Sequence, residues 1–349
     1  MARVSRIEKE NVLILDSDSS VYAVGFMTEK ATHYGVLNGK IVFTADSKTK
    51  YNVWFKAQNN PAIEHDMTVE VEPVSHALHS VKKFVDNTLK LTGCHRAVIL
   101  LTKGGNCFRT HRATFKRYKG NRLGMAKPVH YDAAREYYMK YYDAHMYEKW
   151  EADDAACMAL HKGSGTSKVK YIMAAIDKDL EQMPGLHINP SKDYREEGVY
   201  YTDESTGWWH FYHQMLCGDV ADNINGLKGT KKRPGISKAK ATALLEGVTS
   251  ITTMCQIVYD QYIIRYGDIP FAYAPWWCDE KMNPDGLYPD RPRVLQGTAL
   301  SMFRENADLL YMLRTPEDQY LPHCRQLIDI WTPYPNGVVQ EFLPVEDED

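Results

Sequence analysis

Four groups of acidic residues carry the chemistry this chain is equipped for. They are Asp16 after the run Val12–Leu15, the tetrad Glu151-Ala152-Asp153-Asp154, the pair Asp177 and Asp179, and Asp219 with Asp222 in Gly218-Asp-Val-Ala-Asp-Asn223. Carboxylate oxygens suit hard divalent cations such as Mg²⁺. Two such ions about 3.5–4 Å apart hydrolyse phosphodiesters by activating a water and stabilising the leaving oxygen. Two ions need more carboxylates than one, and the spacings supply them. Asp177 and Asp179, two apart on an extended segment, face one way. Glu151 with Asp154, and Asp219 with Asp222, are three apart and share the face of a helical turn. Any one group alone reads sooner as a solvated helix face or an N-cap, and Glu151–Asp154 suits a helix N-terminus with no metal at all. Asp16 and Asp177 resist that reading, because buried-type apolar runs precede them.

A second set of residues is cationic. Arg109, Arg112, Lys116, Arg117, Lys119 and Arg122 fall in one stretch, interleaved with Phe108, Phe115 and Tyr118. Cations there would hold phosphates and the rings would stack unpaired bases; the alternative is a basic, solvated helix face. Lys228, Lys231, Lys232, Lys238 and Lys240 lie in a Gly- and Lys-rich helix–turn–helix pattern over residues 218–247. Its glycines let backbone N–H groups approach a phosphate without reading sequence. The net charge of −3 therefore hides a basic remainder. The acidic run Glu346–Asp349 reads as a solubilising end, with a partner contact as the minority reading.

The elements that must position these groups are legible as alternation. Asn11–Leu15, Arg96–Leu101 and Lys170–Ile176 are apolar almost throughout, as in parallel strands covered on both faces. Between them the pattern predicts helices over Val74–Leu91, Tyr131–Lys149 and Ala152–His161, and later Ala299–Leu313. This is an α/β fold with a mostly parallel sheet, whose ligands bind beyond the carboxyl ends of the strands. Asp16, Thr102 and Asp177 stand at those ends. Residues 271–292, dense in Pro and aromatics, read as irregular.

The chain resembles the flap endonuclease and 5′→3′ exonuclease family, especially its phage members and the 5′-nuclease part of bacterial DNA polymerase I. The matching residues are Leu13-Ile-Leu-Asp16, Phe108-Arg109, Tyr118-Lys-Gly-Asn-Arg122, Glu151-Ala-Asp-Asp154, Ile176-Asp-Lys-Asp179 and Gly218-Asp-Val-Ala-Asp-Asn-Ile224. The resemblance spans residues 11 to about 247. It implies a PIN-like 5′-nuclease core over 1–215, with a helical arch at about 108–150. A helix–turn–helix DNA-binding region at 216–264 and an extension of unassigned role at 265–349 would follow. It implies metal ligands at Asp16, Glu151, Asp153, Asp154, Asp177, Asp179, Asp219 and Asp222, with catalytic roles for Asp177 and Asp179. Lys119 and Arg122 would touch the scissile phosphate. Two Mg²⁺ ions, with Mn²⁺ as a substitute, would serve 5′→3′ exonuclease or flap cleavage of DNA at a 5′ end or a duplex/single-strand junction. A K⁺ ion is expected at the glycine turn, although the insertion Thr230–Pro234 departs from the compact pattern. Thr102 departs too, standing where the family carries an acid. The expectation is a raised Mg²⁺ requirement, with Asp18 either compensating or forming a turn.

The rivals are an RNA- or RNA–DNA-hybrid-directed nuclease of the same fold and a DNA-binding relative with weakened catalysis. Against the second, uncompensated carboxylates repel one another. Seven cysteines without a Cys-x-x-Cys pair argue against a zinc site or a disulfide framework. With no signal-like or membrane-length apolar run, the expectation is a monomer in the cytoplasm of a bacterium or a phage-infected host. The minority reading of the acidic tail is a contact with a replication or single-strand-binding protein. His65, His76, His79, His210 and His213 fall outside every motif and read as structural.

Overall fold

A computed structural model of the chain describes residues 10–104, 107–164, 169–191, 198–229, 234–267 and 269–316. Lys231, Lys232 and the acidic tail lie outside them. From β1 (Glu10–Asp16) the chain enters α1 (Asp18–Met27), then β2 (Glu29–Leu37), β3 (Lys40–Ala45), α2 (Lys48–Gln58) and β4 (Glu64–Val71). It returns through α3 (Val74–Thr92) to β5 (Arg96–Thr102), followed by the short α4 (Phe108–Arg112), α5 (Tyr131–Tyr141) and β6 (Asp143–Tyr147). Next come α6 (Ala152–Ser164), β7 (Val169–Ala174), β8 (Gly185–Ile188), β9 (Tyr200–Thr202) and α7 (Glu204–Cys217). The last described elements are α8 (Lys238–Leu245), α9 (Ile251–Tyr266), β10 (Phe271–Tyr273), β11 (Leu295–Gly297) and α10 (Ala299–Leu310).

The central sheet runs β6-β5-β1-β7-β8-β9, parallel except for the β8–β9 pair. Its core strands are the three expected, because Val12–Leu15 and Ile99–Leu101 are buried on both faces. One face packs on α1, α3 and α5 through Val21, Val81, Val85 and Tyr138. The other packs on α6 through Ala156, Cys157 and Leu160. A further core joins α7, α9 and α10 around Phe211, Met215, Val258, Tyr262 and Phe303. The described part of the C-terminal extension thus shares its core with the helix–turn–helix region.

Two local features differ from expectation. The helix predicted over Tyr131–Lys149 ends at Tyr141, and Asp143–Tyr147 pairs with β5 as an edge strand. An edge strand lacks a continuous apolar face, so its sequence carries little strand signal. Within 108–150 the described residues form α4, a 3-10 turn at Gly120–Arg122, α5 and β6. Tyr138 bonds Ser20 at 2.9 Å beneath α5, which lies on α1 and α3. The antiparallel sheet β3-β2-β4 was not foreseen; β4 is exposed along its whole length, so burial left no pattern to read. Among the described residues Cys94, Cys107, Cys157, Cys217 and Cys278 are free thiols. No described helix is long and apolar enough to cross a membrane.

Candidate metal and nucleic-acid site

Parallel pairing of β1 with β5 and β7 brings their carboxyl ends to one edge of the sheet. Asp16 closes β1 at 2% exposure, and Ser17 N–H donates to Leu100 O at 3.0 Å, tying the next residue to β5. Asp177 lies just beyond β7, its carboxylate accepting the Asp179 N–H at 3.0 Å. The N-terminus of α6, which carries Asp153 and Asp154, is pinned to β5 because Ala152 N–H donates to Thr102 Oγ1 at 2.9 Å. Asp219 and Asp222 sit in a turn closed by paired bonds between Asp219 and Ile224. That turn needs its glycines. A Cβ on Gly226, at φ +51°, would stand 2.3 Å from the Gly218 nitrogen, and only Gly accepts such an approach.

The acids repel one another in two neighbourhoods that share Asp177. Asp16 is pushed up to about 8 by burial, with Asp18 and Asp177 adding to it. Asp153 is raised by burial and then by Asp16 and Glu151. Asp179 is pushed up to about 8 by burial, Asp177, Asp219 and Asp222. Between these groups stands Lys119, whose ammonium bonds Glu151 and lies 3.7 Å from Asp222. Burial opposes its charge, but Glu151 and Asp222 outweigh burial and hold it strongly protonated. Arg122 donates to Asp222 Oδ1 at 2.7 Å. Among the described residues no three acid, histidine or cysteine side chains stand close enough to hold one ion as they are; in this arrangement two cationic side chains occupy the carboxylates Glu151 and Asp222.

A linkage follows. Carboxylates held above their unfolded value near 4 keep the folded state favoured while protonated, and that advantage is lost as pH rises from there through about 8. Without divalent ions the melting temperature is expected to fall between pH 5 and pH 8. Added Mg²⁺ should raise it, and by more at pH 8 than at pH 5. An Mg²⁺ increment equal at both pH values would speak against a cation site here.

Two expected site residues are placed otherwise. Arg109 is no phosphate contact: it is 1% exposed and bonds Asp154 with both terminal nitrogens, at 2.5 and 2.8 Å. It also donates to the carbonyls of Leu309 and Tyr311. Asp154, 0% exposed, is spent on Arg109 and on the N–H groups of Glu151 and Leu313, so it is no metal ligand in this geometry. A buried guanidinium needs such a partner. Of the other cations, Arg117 reaches Met282 O and Asp285. Arg112 is half-buried. Burial and the neighbouring Lys228 hold the Lys116 ammonium below its usual pKa. Lys238 and Lys240 are exposed on α8.

Sequence reasoning took Tyr118 for a stacking face. Its hydroxyl instead meets Glu151 at 2.6 Å and Asp222 at 2.7 Å, and its single proton serves only one of them at a time. Thr102 is occupied as well: its hydroxyl takes the Ala152 N–H, and its own N–H donates to Asp18 at 3.1 Å. Asp18 further pairs with Arg135 at 3.2 Å, a cation that no motif revealed. His65 bonds His33, His210 pairs with Glu181, and His213 stacks on Trp209, all as packing.

No family model and no curated protein matches the chain. Among solved structures it is similar to a zinc-bound T5 5′-exonuclease, at 15% identity over 72% of this chain and 79% of that one, TM-score 0.43. It is also similar to the T5 D15 protein crystallised with metal ions, at 13% identity over 86% and 90%, TM-score 0.44. A third is the bacteriophage T5 D15 flap endonuclease with DNA and metal ions, at 12% over 86% and 99%, TM-score 0.37. Likeness this loose transfers no residue role, and the site rests on its own contacts.

Proposed function

We propose that the chain is a divalent-metal-dependent 5′ nuclease that hydrolyses DNA phosphodiesters at a 5′ end or at a duplex/single-strand junction. The observation that carries this reading is the set of mutually repelling carboxylates, Asp16 buried and Asp153 and Asp179 half-buried, at the carboxyl edge of a parallel sheet. The donor set fits a hard cation: every candidate ligand is a carboxylate oxygen, with no thiolate or imidazole among them. Asp16, Asp153 and Asp177 would hold one Mg²⁺ and Asp179, Asp219 and Asp222 the other, with Glu151 between them. When bound, the metal supplies an activated water and neutralises charge at the leaving oxygen. Lys119 and Arg122, now paired with Glu151 and Asp222, would pass to the scissile phosphate once metal satisfies those acids, drawing charge from it as the bond breaks. Lys116, Lys228, Lys238 and Lys240 would hold backbone phosphates of the duplex.

The test is a gel with 5′-labelled flap, nicked and blunt DNA, in Mg²⁺ and in EDTA. Mg²⁺-dependent cleavage near the junction is expected; failure on all three substrates rejects the reading. Lys119→Ala should then lower cleavage at saturating DNA by about tenfold or more. A change in affinity alone, erased by salt, would make Lys119 a general phosphate contact.

A further inference from the structure

Segment 113–119 is neither helix nor strand, yet it leads into every cation of the site from Lys116 to Arg122. Its peptide groups are held by two residues far along the chain. Thr114 N–H and Phe115 N–H both donate to Glu305 Oε1, at 2.9 and 2.8 Å, and the Thr114 hydroxyl donates to Oε2. On the other side, Trp276 donates its backbone N–H to Thr114 O at 3.0 Å and its indole N–H to Ala113 O at 2.8 Å. Two successive peptide N–H groups and two successive carbonyls are thus fixed by one carboxylate and one tryptophan. Such a loop would otherwise need water for these groups.

The support continues along the segment. Arg117 lies over the Trp276 ring at 5.3 Å and donates to Met282 O. From there the acidic turn takes over: Asn223 donates to Arg117 O at 2.9 Å, and Lys119 N–H donates to Asp222 O at 2.9 Å. Asn306, next to Glu305 on α10, accepts the Gly226 N–H at 3.0 Å, so the same helix fixes the glycine turn.

We propose that Glu305 and Trp276 are positioning residues for the cationic segment. Their clamp on residues 113–115 sets where Lys116, Lys119 and Arg122 meet a phosphate, which gives residues 271–310 a part in cleavage without touching substrate. The proposal rests on the nuclease reading for its consequence and stands free of it for the clamp itself. A charged acceptor bridging two amides makes strong bonds, and misplacing a charge-bearing loop by about 1 Å is enough to slow turnover by one to two orders of magnitude.

The test compares Glu305→Ala, Glu305→Gln and Trp276→Phe in the full chain, with two readouts. Amide hydrogen exchange at Thr114 and Phe115 needs no substrate: it should quicken by about tenfold in Glu305→Ala and stay near wild type in Glu305→Gln, whose Oε1 still accepts both amides. Cleavage of flap DNA in Mg²⁺ should show kcat lower by about tenfold in Glu305→Ala with KM within about twofold, and rescue by Glu305→Gln. Trp276→Phe keeps an aromatic ring and loses the indole donor together with part of the buried indole surface; it should lower kcat by about threefold, and it serves if Glu305→Ala fails to fold. Unchanged exchange at both amides, or faster exchange with unchanged kcat, overturns the proposal. If the wild type cleaves no 5′-ended DNA, the nuclease reading falls, and exchange still decides whether Glu305 holds the segment.

Discussion

Asp16→Asn is expected to abolish cleavage and stabilise the metal-free protein at the same time. The substitution keeps the side chain's shape and the acceptor for Asp18 N–H, which donates to Asp16 Oδ1 at 3.3 Å. What it removes is a charge 2% exposed, pushed up to about 8 by burial and by Asp18 and Asp177. At pH 5 the wild-type carboxyl is protonated, so the variant should melt near the wild type. At pH 8 the wild type carries the cost of ionising a buried acid among other acids, and the variant should melt higher. With Mg²⁺ the order should reverse, because the variant has lost a ligand that the metal would reward. Cleavage should fall by about a hundredfold or more, while DNA binding in Ca²⁺ stays close to wild type. Normal turnover would sink the metal reading. A lower melting temperature at pH 8 without metal would instead show that Asp16 is satisfied by a contact other than a cation.

What could be read from the sequence follows from where burial leaves a mark. Val12–Leu15, Ile99–Leu101 and Ile172–Ala174 are buried on both faces, so composition alone marked their strands, and the parallel sheet with acids at its carboxyl edge followed. The amphipathic face of Val74–Thr92 did the same for α3. Elements at the rim carried no such mark: β6 and β4 are edge strands, and their pairing is decided by the neighbour's backbone. Among the site residues, type and spacing identified which side chains are acids and cations, but not which pair with one another. Arg109 and Lys119 read alike in sequence. One lies beneath the site and the other within it, and only the path of residues 107–122 between α4 and the acidic turn separates them. Glu305 and Trp276 were illegible for a simpler reason. Their partners are peptide groups, which every residue carries.

Replacing Arg109 measures that difference directly. Arg109→Met is expected to lower the stability of the metal-free protein by about 3–5 kcal/mol, read by urea unfolding, because it strands Asp154 as a buried charge. Asp154 is 0% exposed, and besides Arg109 its carboxylate has only the N–H groups of Glu151, at 3.3 Å, and Leu313, at 3.2 Å. The carbonyls of Leu309 and Tyr311 also lose donors, which ties the loss to the end of α10. Adding Asp154→Leu should recover a large part of the deficit, since an apolar pair of similar volume replaces a buried ion pair at little cost. The double variant keeps Asp16, Asp153, Asp177 and Asp179; Glu151 loses the Arg109 guanidinium at 3.2 Å but keeps its contact with Lys119. It should therefore still respond to Mg²⁺ with a higher melting temperature. If Arg109 were instead a phosphate contact, Arg109→Met would leave stability alone and weaken DNA binding with a smaller salt slope. If Asp154 were a metal ligand, the double variant would lose much of its Mg²⁺ response. Stability restored together with an intact Mg²⁺ response is the outcome that separates the buried Arg109–Asp154 pair from the carboxylates that face the cation.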